Sequence, residues 1–260
     1  MSEDDLWKRL ARLTPARIGL GRAGAGLPTR EVLGFGLAHA QARDAVHTPM
    51  DAEAITTAIE ALGLPVLAVA SQAEDRATYL RRPDYGRRLA SESRDRLTAA
   101  ADGPVDLAIV VADGLSARAV HEGAAPMLAA LKPLVDKAGW SLGPVIVSVQ
   151  ARVALGDEIG TLLKARAVAV LIGERPGLSS PDSLGLYLTF DPRPGRSDAE
   201  RNCISNVRPA GLSHDLAAFK LHWLIAQAFS RGLSGVNLKD ESDAALDAPP
   251  ERASLPDTSV

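Results

Sequence analysis

The sequence predicts an α/β protein in which a C-terminal domain built on a parallel sheet follows a mostly helical N-terminal domain. Three observations carry this. From Pro104 onward, short apolar runs alternate with helical stretches: Val105 to Val111, Val145 to Val149 and Ala167 to Ile172. The last of these, Ala167-Val168-Ala169-Val170-Leu171-Ile172, has no polar break, the pattern of a strand covered on both faces. Before Pro104 the chain reads as a succession of helices. The expected division is a helical domain over residues 1–102, a sheet domain over 103–239 and a disordered tail over 240–260.

The elements follow in order. Leu6, Trp7, Leu10 and Leu13 give one apolar stripe on a short first helix. Thr29 is placed to cap a helix from Arg30 to about Ala45, and further helices are expected over Asp51 to Leu62 and Ser91 to Ala101. In the sheet domain Ser116 caps a helix to about Leu131, and Asp157 starts a short helix over Glu158 to Ala165. A strand runs from Gly185 to Phe190, and Ser213 caps a last helix carrying Leu216, Phe219, Leu224 and Phe229. Strands and helices in β-α-β-α-β succession with short connections imply parallel strands and right-handed crossovers. After Asp240 the composition is rich in Asp, Ala, Pro and Ser, which favours disorder.

Bulk properties narrow the function. With 260 residues the chain exceeds a typical single core, so two domains or one extended domain are expected. Aromatics are only 4%, so the core must be mostly Ala, Leu and Val. A formal net charge of -3 argues against nucleic acid or an anionic membrane as the main partner. No apolar run approaches the roughly 20 residues of a membrane span. The N-terminus is acidic and lacks an apolar segment, so no signal peptide is expected. The single cysteine cannot form an internal disulfide, and a four-cysteine zinc site is excluded. The expected location is the cytoplasm.

The motifs differ in weight. Gly19-x-Gly21-x-x-Gly24, with Asp44 about 20 residues on, matches a dinucleotide fingerprint, which offers an alternative reading as a stand-alone NAD-dependent oxidoreductase. That fingerprint needs a buried strand in front of it, and Thr14-Pro15-Ala16-Arg17-Ile18 is a poor strand. Close packing of the loop on a neighbouring element suits the residues better. His39, His47, His121, His214 and His222 show no i, i+4 pair, so no histidine metal site is expected. Asp113-Gly114-Leu115-Ser116 ends a strand but lacks the G-x-S-x-G elbow of a serine hydrolase. Four arginines between Arg81 and Arg88 suit salt bridges between domains or subunits. Glu174 follows the Ala167 strand between glycines, where α/β sheets place ligands, unless it simply pairs with Arg175. Cys203 has polar neighbours, Arg201-Asn202 before it and Ser205-Asn206 after, which suits a surface or cleft better than a core strand.

Several strings occur together in one order: Arg22-Ala23-Gly24; Tyr79-Leu80-x-Arg82-Pro83-Asp84-x-Gly86-Arg87-Arg88-Leu89; Asp113-Gly114-Leu115-Ser116; Gly173-Glu174-Arg175-Pro176-Gly177-Leu178; Cys203-Ile204-Ser205-Asn206. Together they resemble the small (light) subunit of ethanolamine ammonia-lyase, from about Pro15 to about Leu238. This chain departs from many relatives in having Ala112 where a serine is common. The resemblance implies a Rossmann-like C-terminal domain behind a helical one, and a lyase that turns ethanolamine into acetaldehyde and ammonia with adenosylcobalamin. It implies a large TIM-barrel subunit as partner, cobalamin held between the two, and a higher hetero-oligomer. By motif it places cobalamin contacts at Val153, Glu174 and Cys203, and substrate handling on the large subunit. The chain has no Asp-x-His-x-x-Gly string to put a histidine on cobalt, so dimethylbenzimidazole is expected to stay there. A third reading is a purely structural subunit with an empty cleft.

Overall fold

A computed structural model describes residues 3–247 of the chain. Helix α1 (Glu3–Ala11) is followed by a glycine-rich loop and then by α2 (Thr29–His47) and α3 (Ala52–Glu60). Thr29 is the first residue of α2, not its cap. Pro28 occupies the cap position and no side chain bonds the free N–H groups there. Proline suits this boundary because its own φ is already fixed. Asp51 does cap α3, accepting from Ala54 N at 3.0 Å.

The segment expected to be mostly helical also contributes a strand to the sheet. After α3, Gly63 turns at φ 75°, and Val66–Ala70 forms β1, which lies parallel to β3 (Val145–Val149) at the sheet edge. Helix α4 (Arg76–Arg81) and α5 (Ser91–Ala99) precede β2 (Val105–Ala112). Ser116 caps α6 (Ala117–Ala138), which runs past the expected stop at Leu131 and past Pro126 and Pro133. Its apolar stripe does not end there: Leu131 and Val135 are both fully buried. After β3 comes α7 (Leu155–Leu162), then β4 (Ala165–Gly173), β5 (Leu184–Phe190) and β6 (Arg201–Val207). Helix α8 (His214–Arg231) is capped by Ser213 as its spacing predicts, and Gly232 ends it in the left-handed region.

The six strands form one sheet in the order β1-β3-β2-β4-β5-β6. The first four are parallel, whereas β5 and β6 are antiparallel to their neighbours. The sheet is therefore mixed, correcting the expectation of a parallel one. The reason is connection length: parallel neighbours need a crossover of about a dozen residues or more, usually a helix, and residues 174–183 hold none.

Alternation along β2 sets the two core layers. Leu107, Ile109 and Val111 face α3, α6 and α8, and Ala108, Val110 and Ala112 face α5 and α7. Both faces are covered, so the strand reads as continuous apolar sequence. Asp157 does not start α7 but lies in its first turn, fully buried, and pairs with Arg201 of β6 through two oxygens at 2.6 and 2.7 Å. The stretch read as a disordered tail begins with a short helix, α9 (Ser242–Asp247). Lys220 of α8 holds it, bonding Asp243 at 2.6 Å and Ser242 at 3.1 Å. The rest of that stretch lies outside the described residues. Among the described residues, no helix is long and apolar enough to cross a membrane.

A capping box closes the β5–β6 connection. The Glu200 carboxylate accepts from Ser197 N and pairs with Arg196, and its pKa is lowered to about 2, first by that backbone bond and then by the guanidinium. A depressed carboxyl stabilises the fold above its ordinary pKa of 4.5, and the contribution fades as pH falls through about 2. Glu200→Gln should therefore melt below wild type at pH 6, with the two curves merging near pH 2. A gap that persists at pH 2 would contradict this linkage.

Candidate functional site

The carboxyl ends of β2 and β3 are tied together by one buried carboxylate. Asp113 accepts from Gln150 N at 2.9 Å and from Ala151 N at 3.0 Å. Arg76 joins it, donating to Asp113 at 3.3 Å, to the Gly114 carbonyl at 2.9 Å and to the Val46 carbonyl at 2.7 Å. On the other side Leu115 N donates to the Gly173 carbonyl at 2.9 Å. Gly114 sits at φ 55°, and a Cβ there would lie 2.2 Å from the Gly173 oxygen. Only glycine allows this approach. Gln150 itself adopts φ 55°, a left-handed conformation that the two bonds to Asp113 hold in place.

Beyond these ends opens a cleft of about 490 Å³, lined among others by Tyr79, Arg152, Val153, Glu174, Arg175 and Tyr187. Strand ends of this kind are where α/β sheets bind ligands. Tyr79 is buried, donates to the Ala151 carbonyl at 3.0 Å, and has the Arg152 guanidinium 4.2 Å from its ring centre. Burial pushes its hydroxyl far above the usual tyrosine range. Arg152 Nε is buried with no hydrogen-bond partner.

Glu174 does not pair with Arg175. Its Oε1 accepts from Ser205 Oγ at 2.6 Å, and its Oε2 accepts from Ser183 Oγ at 2.5 Å and Asn206 N at 3.2 Å. All three donors are neutral. Two lie on β6, so the antiparallel extension of the sheet fixes the glutamate that lines the cleft. Asn206 reaches Glu174 from φ 60°, and Gly211 packs so closely on it that a Cβ would come 2.4 Å from its carbonyl oxygen. Gly185 leaves room for the glutamate, since a Cβ there would sit 3.0 Å from Glu174 Cγ.

Val153 and Glu174 therefore converge on one cleft, while Cys203 stands just outside it. Cys203 lies on β6, the edge strand, in keeping with a surface setting rather than a core strand. It is exposed and sits directly across from Tyr187 of β5. Burial raises the Tyr187 hydroxyl, and the neighbouring Cys203 raises it further. Desolvation lifts the Cys203 thiol above its ordinary range, against a hydrogen bond from Tyr187. A raised thiol stays protonated at neutral pH, so Cys203 offers a neutral contact and not a thiolate nucleophile. Arg152, Arg175, Tyr79 and Tyr187 are the cleft residues that sequence reasoning did not assign. The advance signal for three of them was position: Arg152 beside Val153, Arg175 beside Glu174 and Tyr79 at the start of the arginine-rich segment; Tyr187 gave none.

The arginine-rich segment splits. Arg82 pairs locally with Asp84 at 2.7 Å. Arg87 and Arg88 line a second cleft with Arg94, Asp157, Glu158 and Arg196. There Arg94 is paired with Glu158, Asp157 with Arg201, and Arg196 with Glu200. This second cleft is an ion-pair network more than an open ligand site.

A match to the family described as "Ethanolamine ammonia-lyase light chain" covers residues 4–239. The chain belongs to this family. Proteins named "Ethanolamine ammonia-lyase small subunit" are similar to it along nearly their whole length. The one from Rhodopseudomonas palustris is 59% identical over 233 residues, 90% of this chain and 89% of that protein. Those from Xanthomonas campestris pv. campestris and Azotobacter vinelandii are each 58% identical, over 93% and 92% of this chain and 90% of each relative. Membership agrees with the resemblance read from the motifs and leaves the dinucleotide alternative without support. The structure adds a physical objection to that alternative. Gly19, Gly21 and Gly24 all have positive φ, but they link α1 to α2, and among the described residues no strand precedes them. A Cβ at Gly19 would lie 2.7 Å from Trp7 Cβ, so this loop packs on α1.

Proposed function

We propose that the chain is the small subunit of an adenosylcobalamin-dependent ethanolamine ammonia-lyase and holds the cofactor against a large TIM-barrel subunit in a higher hetero-oligomer. The observation that carries this is the cleft beyond β2, β3 and β4, where Val153 and Glu174 meet. Its residues suit a corrinoid. Glu174 offers an acceptor fixed by three donors, Val153 an apolar wall, and Arg152 a buried N–H with nothing to bond. A cleft of about 490 Å³ is the size that takes a drug-like ligand, so it admits one portion of a corrinoid and leaves the rest for a second chain to cover.

Adenosylcobalamin, when bound, supplies the radical chemistry of the lyase reaction. The part played by this chain is to bind, orient and exclude water. Glu174 accepts from a donor on the ligand, and Val153 shields one side. Cys203, protonated and bonded to Tyr187, steadies the rim. Substrate handling falls to the large subunit.

The test is the visible spectrum of this chain purified with and without its co-expressed large subunit, after cobalamin is added and the sample desalted. Corrinoid colour retained by the pair, and weakened about tenfold to a hundredfold in affinity by Glu174→Ala, is expected, since a hydrogen bond to a charged group contributes roughly 1.5–3 kcal/mol. A colourless pair would sink the cofactor reading.

A further inference from the structure

Two guanidinium groups face the cleft without a counterion. Arg152 and Arg175 both line it, and among the described residues neither forms an ion pair. The one carboxylate beside them, Glu174, forms no ion pair with either; its oxygens accept from Ser183, Ser205 and Asn206 instead. Arg152 is also held in place. Its backbone N–H bonds the Gly86 carbonyl at 2.7 Å, its guanidinium rests on the Tyr79 ring, and Gly86 leaves only enough space for its Cγ. A pinned cation with a buried, unpartnered N–H is costly unless something supplies an anionic acceptor. Neutral amides on a corrin ring cannot balance that charge. Phosphate oxygens can, and the planar guanidinium fork matches their geometry.

We infer that Arg152 and Arg175 receive the phosphodiester of the corrinoid's nucleotide loop, while Glu174 accepts from the sugar hydroxyl beside it. The inference rests on the cofactor reading above and assigns which part of the cofactor enters the cleft. An acidic acceptor for sugar hydroxyls set beside donors for phosphate is the division of labour that nucleotide sites on α/β sheets adopt. Here guanidinium groups take the part that backbone amides play in a glycine-rich loop.

The test uses the complex with the large subunit and compares cyanocobalamin with dicyanocobinamide, which lacks the nucleotide loop. Arg152→Gln and Arg175→Gln are each expected to weaken cyanocobalamin binding about tenfold, and to leave dicyanocobinamide within about twofold. Arg152→Lys, which keeps the charge and loses the fork, should fall between. A second measurement needs no variant: rising salt should weaken wild-type binding of cyanocobalamin but not of dicyanocobinamide. Equal losses for both corrinoids, or no loss with cyanocobalamin, would overturn the assignment even though the cofactor reading stood. If wild type binds neither corrinoid, the cofactor reading falls and the phosphodiester assignment falls with it.

Discussion

Replacing Arg201 by alanine is expected to lower the unfolding free energy by about 3–5 kcal/mol. The side chains of Arg201 and Asp157 are 2% and 1% exposed, and the pair is bidentate. Arg201 also donates to Thr189 Oγ1 and to the Arg196 carbonyl, both at 2.9 Å. Removing it strands a carboxylate buried between α7 and β6 with no charge partner of its own. The cost comes from that orphaned charge more than from the lost attraction. The double replacement Asp157→Leu with Arg201→Met should accordingly recover most of the stability, because an apolar pair of similar volume carries no desolvation penalty. Denaturant unfolding of the two variants checks this. A loss under about 1 kcal/mol for Arg201→Ala would mean that water reaches the pair.

Gly173→Ala should cost about 3 kcal/mol or more and abolish corrinoid retention. A Cβ at Gly173 would lie 2.1 Å from the Ser116 oxygen and 2.6 Å from the Asp113 oxygen. Both are backbone atoms, so no side chain can swing away. Relief requires the ends of β2 and β4 to separate, and those ends are the floor of the cleft. Gly34→Ala in α2 is the control. Nothing lies within 4 Å of its added Cβ, so it should be neutral or stabilise slightly. If Gly173→Ala melts like wild type, the strand ends are looser than their hydrogen bonds imply.

How far the sequence disclosed this arrangement depends on the element. The parallel strands β2, β3 and β4 stood out because burial on both faces leaves no polar break. Strand β1 was readable in principle from Val66-Leu67-Ala68-Val69-Ala70, but a single apolar run among helices gives no periodicity that decides its type. Strand β6 hid for the opposite reason. Asn202, Ser205 and Asn206 are strand residues with a structural task, bonding the loop at Gly235 and the glutamate at 174, and in sequence they look like loop. The site was half visible. Val153 and Glu174 came from motif resemblance and the rule of strand ends. Arg152 and Arg175 were not assigned, because an arginine's lack of a partner is a property of three-dimensional packing that spacing does not reveal.

The donors around Glu174 carry a consequence for the order of events during synthesis. Ser205 and Asn206 leave the ribosome well after Glu174, and β6 cannot dock until β5 has paired with β4. A chain growing past β4 therefore has the cleft floor but a glutamate that still swings freely in water. The acceptor becomes fixed only when the last strand closes the sheet. On the proposed cofactor reading, binding at this acceptor is thus deferred to a chain whose β6 has docked.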